Sequence, residues 1–549
     1  MIRALRFLAV AACCAGLSAS AALAAERAAP AGPPSLDGMY AVVIQWPPHS
    51  PWQRLAFRLA GDGGTLYLNG REVKLAVTRV GDTMDVRWTS RVGEADFHGE
   101  IGQDHGATTF IGTFTQAKNR GAFQAVRIAE VDPRTIAARD GVYRISADRY
   151  VMIAVSDEAG GAATFLDSAT RRTGALAPVS NTASVSGPSL LALLPVAARF
   201  DFAPATSAAS GTVQVQFGND PPLVATKVDP YRTEDVTFRN GTVTLRGTLF
   251  VPSTPGPHPA VVLIHGSGPE HRPIGLYPFG FMHLGFAVLA FDKRGAGEST
   301  GDYRTASFPD LAGDVIAGID AIKHNPAVDP KRIGLFASSN GGWVAPVAAT
   351  QSRDVAFVIC RVCSTMTVAQ NQAYEREAFA RDAGSSDADV ARAVALHDAY
   401  TNAVMHDTGW DALRAQVAAA KDADWFGSAG VPSSNDALPP DPAARTAHAA
   451  QLAFDPAPYW ARVTVPTLFM YADNDRYVKT SLNAPRAEQL LRGAGNRDVQ
   501  VIVLQHADHA FIDSETGLPS EQQRENRFAA GFIEALSSWT QAHHLTPTQ

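Results

Sequence analysis

Residues 333–343 read IGLFASSNGGW: a short apolar run, two adjacent serines, then a pair of glycines. The run has no alternation, which fits a strand buried on both faces. The continuation GGWVAPVAAT (341–350) can open a helix. A serine hydroxyl is a weak nucleophile that needs an exposed position, a base and donors for the oxyanion it creates. A sharp strand-to-helix turn supplies the exposure but demands small residues two before and two after the serine. Ser338 would have Phe336 and Asn340 there, both too large; Ser339 has Ala337 and Gly341, with Gly342 giving further room. Ser339 is the candidate nucleophile.

Similar apolar runs lie on either side. AVVLI (260–264), FAVLAF (286–291) and VAFVIC (355–360) surround the serine run, and TLFMY (467–471) and VQVIVL (499–504) follow. Helical spacing separates several of them: Leu311, Val315, Ile319 and Ile322 share one face, and a last helix is expected to bury Phe528, Phe532 and Trp539. The expected class is α/β, a mostly parallel sheet flanked by helices, entered through a hairpin around Asn240-Gly241. About a hundred residues separate VAFVIC from TLFMY. Ser386 reads there as an N-cap, followed by Val390, Val394 and Val404 and then Trp410, Leu413 and Val417 at helical spacing. This insertion, about 366–462, is expected to be a helical cap over the crevice at the strand ends.

The same crevice should collect the remaining chemistry. VVLIHGSGPEHR (261–272) puts His265-Gly266-Ser267-Gly268 straight after a strand. The backbone N–H of Ser267 and that of Asn340 are the candidate oxyanion donors. The acid should follow a later strand; YADNDRYV offers Asp473 and Asp475, and Asp475 is preferred because Asp473 suits the turn itself. The base should follow the last strand; of His506 and His509, the second lies further into the loop beside Ala510 and Phe511 and is preferred. Asp292, Arg294 and Glu298 are expected to brace the loop near the oxyanion turn through ion pairs and hydrogen bonds.

HGSGP, FDKRGAGESTGD (291–302), ASSNGGW, YADNDRYV and ADHAF, in that order, resemble the α/β-hydrolase superfamily, and within it bacterial carboxylesterase-like members with a helical cap. The resemblance spans about 233–545 and implies Ser339, Asp475 and His509 as a triad, with Ser267 and Asn340 as the oxyanion hole. It implies hydrolysis of a small-molecule carboxylic ester through an acyl-enzyme, with no metal or organic cofactor. Ala337 and Ala472 stand where glycines are usual; both are small. A serine peptidase or amidase is the alternative, and a non-catalytic binding protein a third.

Residues 36–131 and 139–228 lie outside the resemblance. They begin alike, Asp37-Gly38-Met39-Tyr40 and Asp140-Gly141-Val142-Tyr143, and period-two stretches such as ATTFIGTF and TVQVQF mark them as small β-rich modules. The hydrolase-like domain is taken as 229–549. At the front, Arg3 and Arg6, an apolar stretch from Phe7 and Ala22-Leu23-Ala24 lay out a secretory signal peptide over 1–24, followed by a proline-rich linker over 25–35. Export to the periplasm or beyond is expected, and a lipoprotein box ending at Cys13 is the competing reading. Without residues 1–24 the chain has 45 basic and 54 acidic residues, a formal charge of −9. No basic stripe suits nucleic acid, and no later apolar run has membrane-spanning length. Cys360 and Cys363 lack a second pair for zinc and are expected to be small buried residues or a disulfide.

Overall fold

The computed structural model describes residues 35–546 except 47–51, 69–70, 91–92, 118, 157–161, 205–210, 229, 273–274, 435–436, 519–520 and 522–523. The expected signal peptide and Cys13 lie outside the described residues.

Each β-rich module closes on itself as a barrel. Strands β1 (Gly38–Gln45) to β8 (Asn119–Ile128) pair in chain order, and β8 returns to β1 with Met39 opposite Ile128. Strands β9 (Gly141–Arg144) to β16 (Leu223–Val228) close in the same way. Closure removes the open edges that would invite pairing with other chains. Aromatic rings fill the first barrel: Phe97 lies 4.6 Å from Phe114 and 4.8 Å from Phe123. It is a packed core of the kind an eight-stranded barrel can just hold.

The two matching tetrapeptides occupy matching places. Gly38 and Gly141 open their barrels at φ +135°. The hydroxyls of Tyr40 and Tyr143 each donate to the carbonyl four residues back, at 3.0 and 2.9 Å. The carboxylates of Asp37 and Asp140 each accept one backbone N–H, from Gly61 at 2.9 Å and Val155 at 3.0 Å. The sequence echo is thus a repeated structural unit.

The chain then builds an eight-stranded sheet in the order β17-β18-β20-β19-β21-β22-β23-β24. The expected hairpin is β17 (Tyr231–Asn240) and β18 (Val243–Pro252), antiparallel to each other, and β18 also pairs antiparallel with β20 (Ala287–Phe291). From β20 onward the pairs are parallel: β19 (His258–Ile264), β21 (Val328–Ser338), β22 (Phe357–Arg361), β23 (Thr467–Ala472) and β24 (Val499–Leu504). Every residue of β19, β20, β22 and β23 is buried, as their unbroken apolar runs require. β24 departs from that expectation: as the edge strand it leaves Gln500 and Val503 exposed. The order reverses between β19 and β21, which opens a crevice at their carboxyl ends.

Helices cover both faces; α1 (Pro133–Ala137) joins the two barrels, and α2 (Tyr277–His283) and α11 (Thr480–Gly493) pack on the sheet. α3 (Phe308–Ile322), capped by Ser307, buries Leu311, Val315, Ile319 and Ile322 as expected. α4 (Gly341–Gln351) follows the two serines and is buried along most of its length. α12 (Phe532–Ala542) buries Phe532 and Trp539, but Phe528 precedes it. Gly531, at φ +85°, breaks the helix there, and Phe528 pairs with Ile512 in an isolated bridge. Between β22 and β23 the described residues form α5 (Val368–Asp382), α6 (Asp387–His406), α7 (Trp410–Ala420), α8 (Phe426–Ala429), α9 (Pro442–Leu452) and α10 (Ala457–Trp460). Ser386 caps α6 through the Asp389 N–H at 3.2 Å.

Cys360 and Cys363 are free, buried thiols beneath α4 and form no disulfide. Burial pushes the Cys360 thiol well above its ordinary pKa, and the Cys363 thiol donates to the Ala337 carbonyl at 3.6 Å. A Cβ on Gly342 would stand 2.6 Å from the Cys363 Cβ and 2.9 Å from its Cα. Backbone cannot yield cheaply to such overlap. Gly342→Ala is expected to cost about 1–3 kcal/mol, read as a lowered urea midpoint of the full-length protein.

Candidate active site

The strand-to-helix turn holds Ser339 at φ +52°, a left-handed conformation rare outside glycine. Strain of this kind costs about 1–3 kcal/mol and persists only where its surroundings enforce it. Here the Ser339 N–H donates to the Arg361 carbonyl on β22 at 2.9 Å, and the Gly342 N–H donates back to the Ser339 carbonyl at 2.9 Å. Ala337 is fully buried, so its small side chain serves where a glycine was expected. The turn lifts Ser339 to a half-buried position.

Ser339, His509 and Asp475 meet, although 170 residues part the first two. The Ser339 hydroxyl lies 3.0 Å from His509 Nε2, and His509 Nδ1 lies 2.9 Å from each carboxylate oxygen of Asp475. With a proton on Nδ1, the ring donates to Asp475 and leaves Nε2 free to accept from the serine. The Asp475 side chain is wholly buried, and its Oδ1 also accepts the N–H groups of Tyr477 and Val478, both at 2.8 Å. The neighbours passed over play other parts. Asp473 accepts the N–H groups of His506 and Ala507, each at 3.0 Å, tying the two loops together. His506 is exposed and pairs with Glu515 at 3.0 Å.

The loop after β19 lies beside the turn. A Cβ on Gly341 would meet the His265 carbonyl at 3.2 Å. Among the described residues, the N–H groups of Ser267 and Asn340 donate to no other protein group. His265 is neutral: burial lowers it to about 3, and its Nε2 is engaged at 2.5 Å with the Phe291 carbonyl. Asp292 accepts the N–H groups of Arg272 and Glu298, each at 3.0 Å. Glu298 pairs with Arg272, and Arg294 forks onto Asp314 of α3 through two 2.6 Å bonds. Asp292 and Glu298 thus hold Arg272 at the end of the loop after β19, whereas Arg294 ties its own loop to α3.

Sequence reasoning missed two buried cations and the contacts of α5. The Lys293 ammonium donates to the Gly266 and Gly268 carbonyls at 2.8 and 3.1 Å, gripping the loop on both sides of Ser267. Arg361 donates from one Nη to the Ser338 hydroxyl at 2.7 Å and from the other to the His509 carbonyl at 2.6 Å. Its guanidinium carbon also lies over the Tyr277 and Phe511 rings, 5.7 and 4.9 Å from their centroids. A charge following the apolar run FVIC was the only available signal for Arg361. From α5, the Tyr374 hydroxyl donates to the Asp475 carbonyl at 2.7 Å and Asn371 Nδ2 donates to the Tyr477 carbonyl at 3.1 Å. The Tyr477 ring lies 4.7 Å from that of His509. No group of three or more metal-ligating side chains occurs among the described residues.

A sequence model described as "Alpha/beta hydrolase family" matches residues 261–517. An uncharacterized 31.7 kDa protein of Escherichia coli is 32% identical over 117 residues, covering 21% of this chain and 41% of that protein. Uncharacterized protein PA2218 of Pseudomonas aeruginosa is 32% identical over 147 residues, 25% of this chain and 39% of its own. Esterase EstD of Thermotoga maritima is 29% identical over 136 residues, 23% of this chain and 32% of its own. The chain thus spans less than half the length of each of these curated relatives. A solved structure of the Pyrococcus furiosus esterase Pf2001 aligns at a TM-score of 0.34 and 15% identity, over 57% of this chain and 93% of that one. The matched span, just under half of the chain, lies behind the two β-barrels and contains Ser267, Ser339, Asn340, Asp475 and His509 on the parallel part of the sheet: it is this span that is similar to the alpha/beta hydrolase family.

Proposed function

We propose that the protein is an exported serine hydrolase that cleaves carboxylic esters of small molecules through an acyl-enzyme. The reading rests on one observation, the unbroken hydrogen-bonded row from Ser339 through His509 to Asp475 on a strained strand-to-helix turn. His509 takes the serine proton as Ser339 Oγ attacks the ester carbonyl carbon, and Asp475 stabilises the imidazolium. The N–H groups of Ser267 and Asn340 receive the oxyanion. His509 then protonates the departing alcohol, and water repeats the cycle to release the acid. The chain's own residues suffice for each step. The helices from α5 to α9 act as the cap: α5 already rests on the loop that carries Asp475. Ester preference over amide draws support from EstD, a relative named an esterase.

Fluorophosphonate labelling tests the serine. Wild type is expected to label at Ser339 and Ser339→Ala to remain unlabelled, with kcat on p-nitrophenyl acetate lower by about four orders of magnitude or more. An unlabelled wild type would leave the binding-protein alternative standing. Faster turnover of aminoacyl p-nitroanilides than of p-nitrophenyl esters would move the protein to the peptidases.

Lys293 gives a pH-dependent expectation. Burial lowers its ammonium from 10.5 to about 8, against the opposing pull of Glu270. Between those values the unfolded chain binds the proton that the folded protein has released, so folding stability gains as pH rises. Melting curves from pH 7 to 11 should show wild type gaining on Lys293→Met across that window. The variant also deprives the Gly266 and Gly268 carbonyls of their donor, and its kcat is expected to fall at least about tenfold as the oxyanion loop relaxes.

A further inference from the structure

The described residues between Leu504, the end of β24, and Phe532, the start of α12, include His509 but none of the sheet's strands or α-helices. A long irregular segment needs outside support to hold a side chain in one place. That support comes from the second barrel. Its turn between β11 (Ala162–Asp167) and β12 (Thr173–Pro178) lies along residues 526–528. The Thr173 N–H donates to the Asn526 carbonyl and the Phe528 N–H to the Arg171 carbonyl, both at 2.9 Å. Side chains reinforce the seam: Arg171 donates to the Phe528 carbonyl, Arg527 to the Thr170 carbonyl at 3.0 Å, and Arg172 pairs with Glu525.

The other edge of 526–528 pairs with 511–513. The Asp513 N–H donates to the Arg527 carbonyl at 2.8 Å and the Ala529 N–H to the Phe511 carbonyl at 2.7 Å. The next row follows directly, with the Asp508 N–H on the Ile512 carbonyl at 3.0 Å and the Ser514 N–H on the His506 carbonyl at 2.8 Å. His509 stands in the turn that this row closes. A continuous ladder therefore runs from barrel to imidazole. Burial makes the same connection: Val142, Met152, Ala154 and Leu166 of the barrel share one core cluster with Phe511 and Phe532.

We propose that the second barrel is a positioning element for the catalytic base, holding the His509 loop in register with Ser339 through the 171–173 and 526–528 seam. This rests on the serine hydrolase reading above. The barrel touches no reacting atom; it acts through the loop, so its loss lowers turnover and leaves substrate binding in place.

Arg172 and Arg527 face each other as a non-hydrogen-bonded antiparallel pair, flanked by the two bonds just described. Such pairs hold their Cα atoms about 4.5 Å apart, within disulfide range. The full-length double variant Arg172→Cys/Arg527→Cys removes both arginines from the seam when reduced and staples it when oxidised. Diamide takes up the two electrons and two protons released as the S–S bond forms. Cys360 and Cys363 are buried, and diamide-treated wild type serves as the control.

Reduced, the variant is expected to lose at least about tenfold in kcat on p-nitrophenyl acetate, with KM within about twofold and fluorophosphonate labelling slowed in parallel. Deuterium uptake over 505–514 should rise. Oxidation should return kcat to within about threefold of wild type. Wild-type kcat in the reduced variant overturns the proposal, and so does a loss that stapling leaves unrepaired. Labelling of wild type at Ser339 is scored first. Its absence removes the serine hydrolase reading; its presence alongside seam-independent turnover removes only the positioning role.

Discussion

A single backbone conformation, Ser339 at φ +52°, sets the terms for the eight-stranded sheet and its loops. Extended or right-handed backbone there would turn the hydroxyl away from the crevice. The strained form survives because several neighbours enforce it at once: Arg361 accepts its N–H, α4 starts immediately after it, and Gly341 and Gly342 let that helix approach. The small residues around the turn answer to this one demand. The sheet order answers to it as well, since the reversal between β19 and β21 brings the loop after β19 alongside the serine.

The two buried cations extend the same logic to the loops. Neither is held chiefly by a carboxylate; each spends donors on backbone carbonyls, Lys293 on Gly266 and Gly268, Arg361 on His509. A buried ammonium is costly, as the lowered pKa of Lys293 records. Retaining it makes sense as a way to fix backbone where regular structure is absent. Arg361 ties Ser338, the neighbour of Ser339, to the carbonyl of His509, so one planar group sets the separation of two loops.

The sequence was most legible where sterics or chain order leave few choices. Ser339 stood out from Ser338 because its flanking positions had to be small. Asp475 and His509 followed from the order of strands, and their rejected neighbours Asp473 and His506 sit in turn and surface roles. Apolar runs announced the parallel strands, though Val503 shows that an edge strand can share that composition and still face solvent. Barrel closure was not legible: pairing Met39 with Ile128 is a long-range event with no local signature. Arg361 and Lys293 were missed for a related reason, since each spends donors on backbone carbonyls, which every residue type possesses. Phe528 was misplaced because helical spacing continued past Gly531, where the chain turns.

The sulfur atoms under the turn are chemically quiet. Oxidants and alkylating agents attack the thiolate; burial keeps Cys360 protonated, and Cys363 lies beneath a helix that tolerates no more than glycine at its closest approach. Reactivity is thereby partitioned over a few ångströms. A reagent seeking the Ser339 hydroxyl meets a half-buried group, while one seeking sulfur meets packed main chain. Electrophiles can accordingly be sorted by warhead, and a maleimide that spares turnover while a phosphonate abolishes it would reflect depth of packing as much as choice of nucleophile.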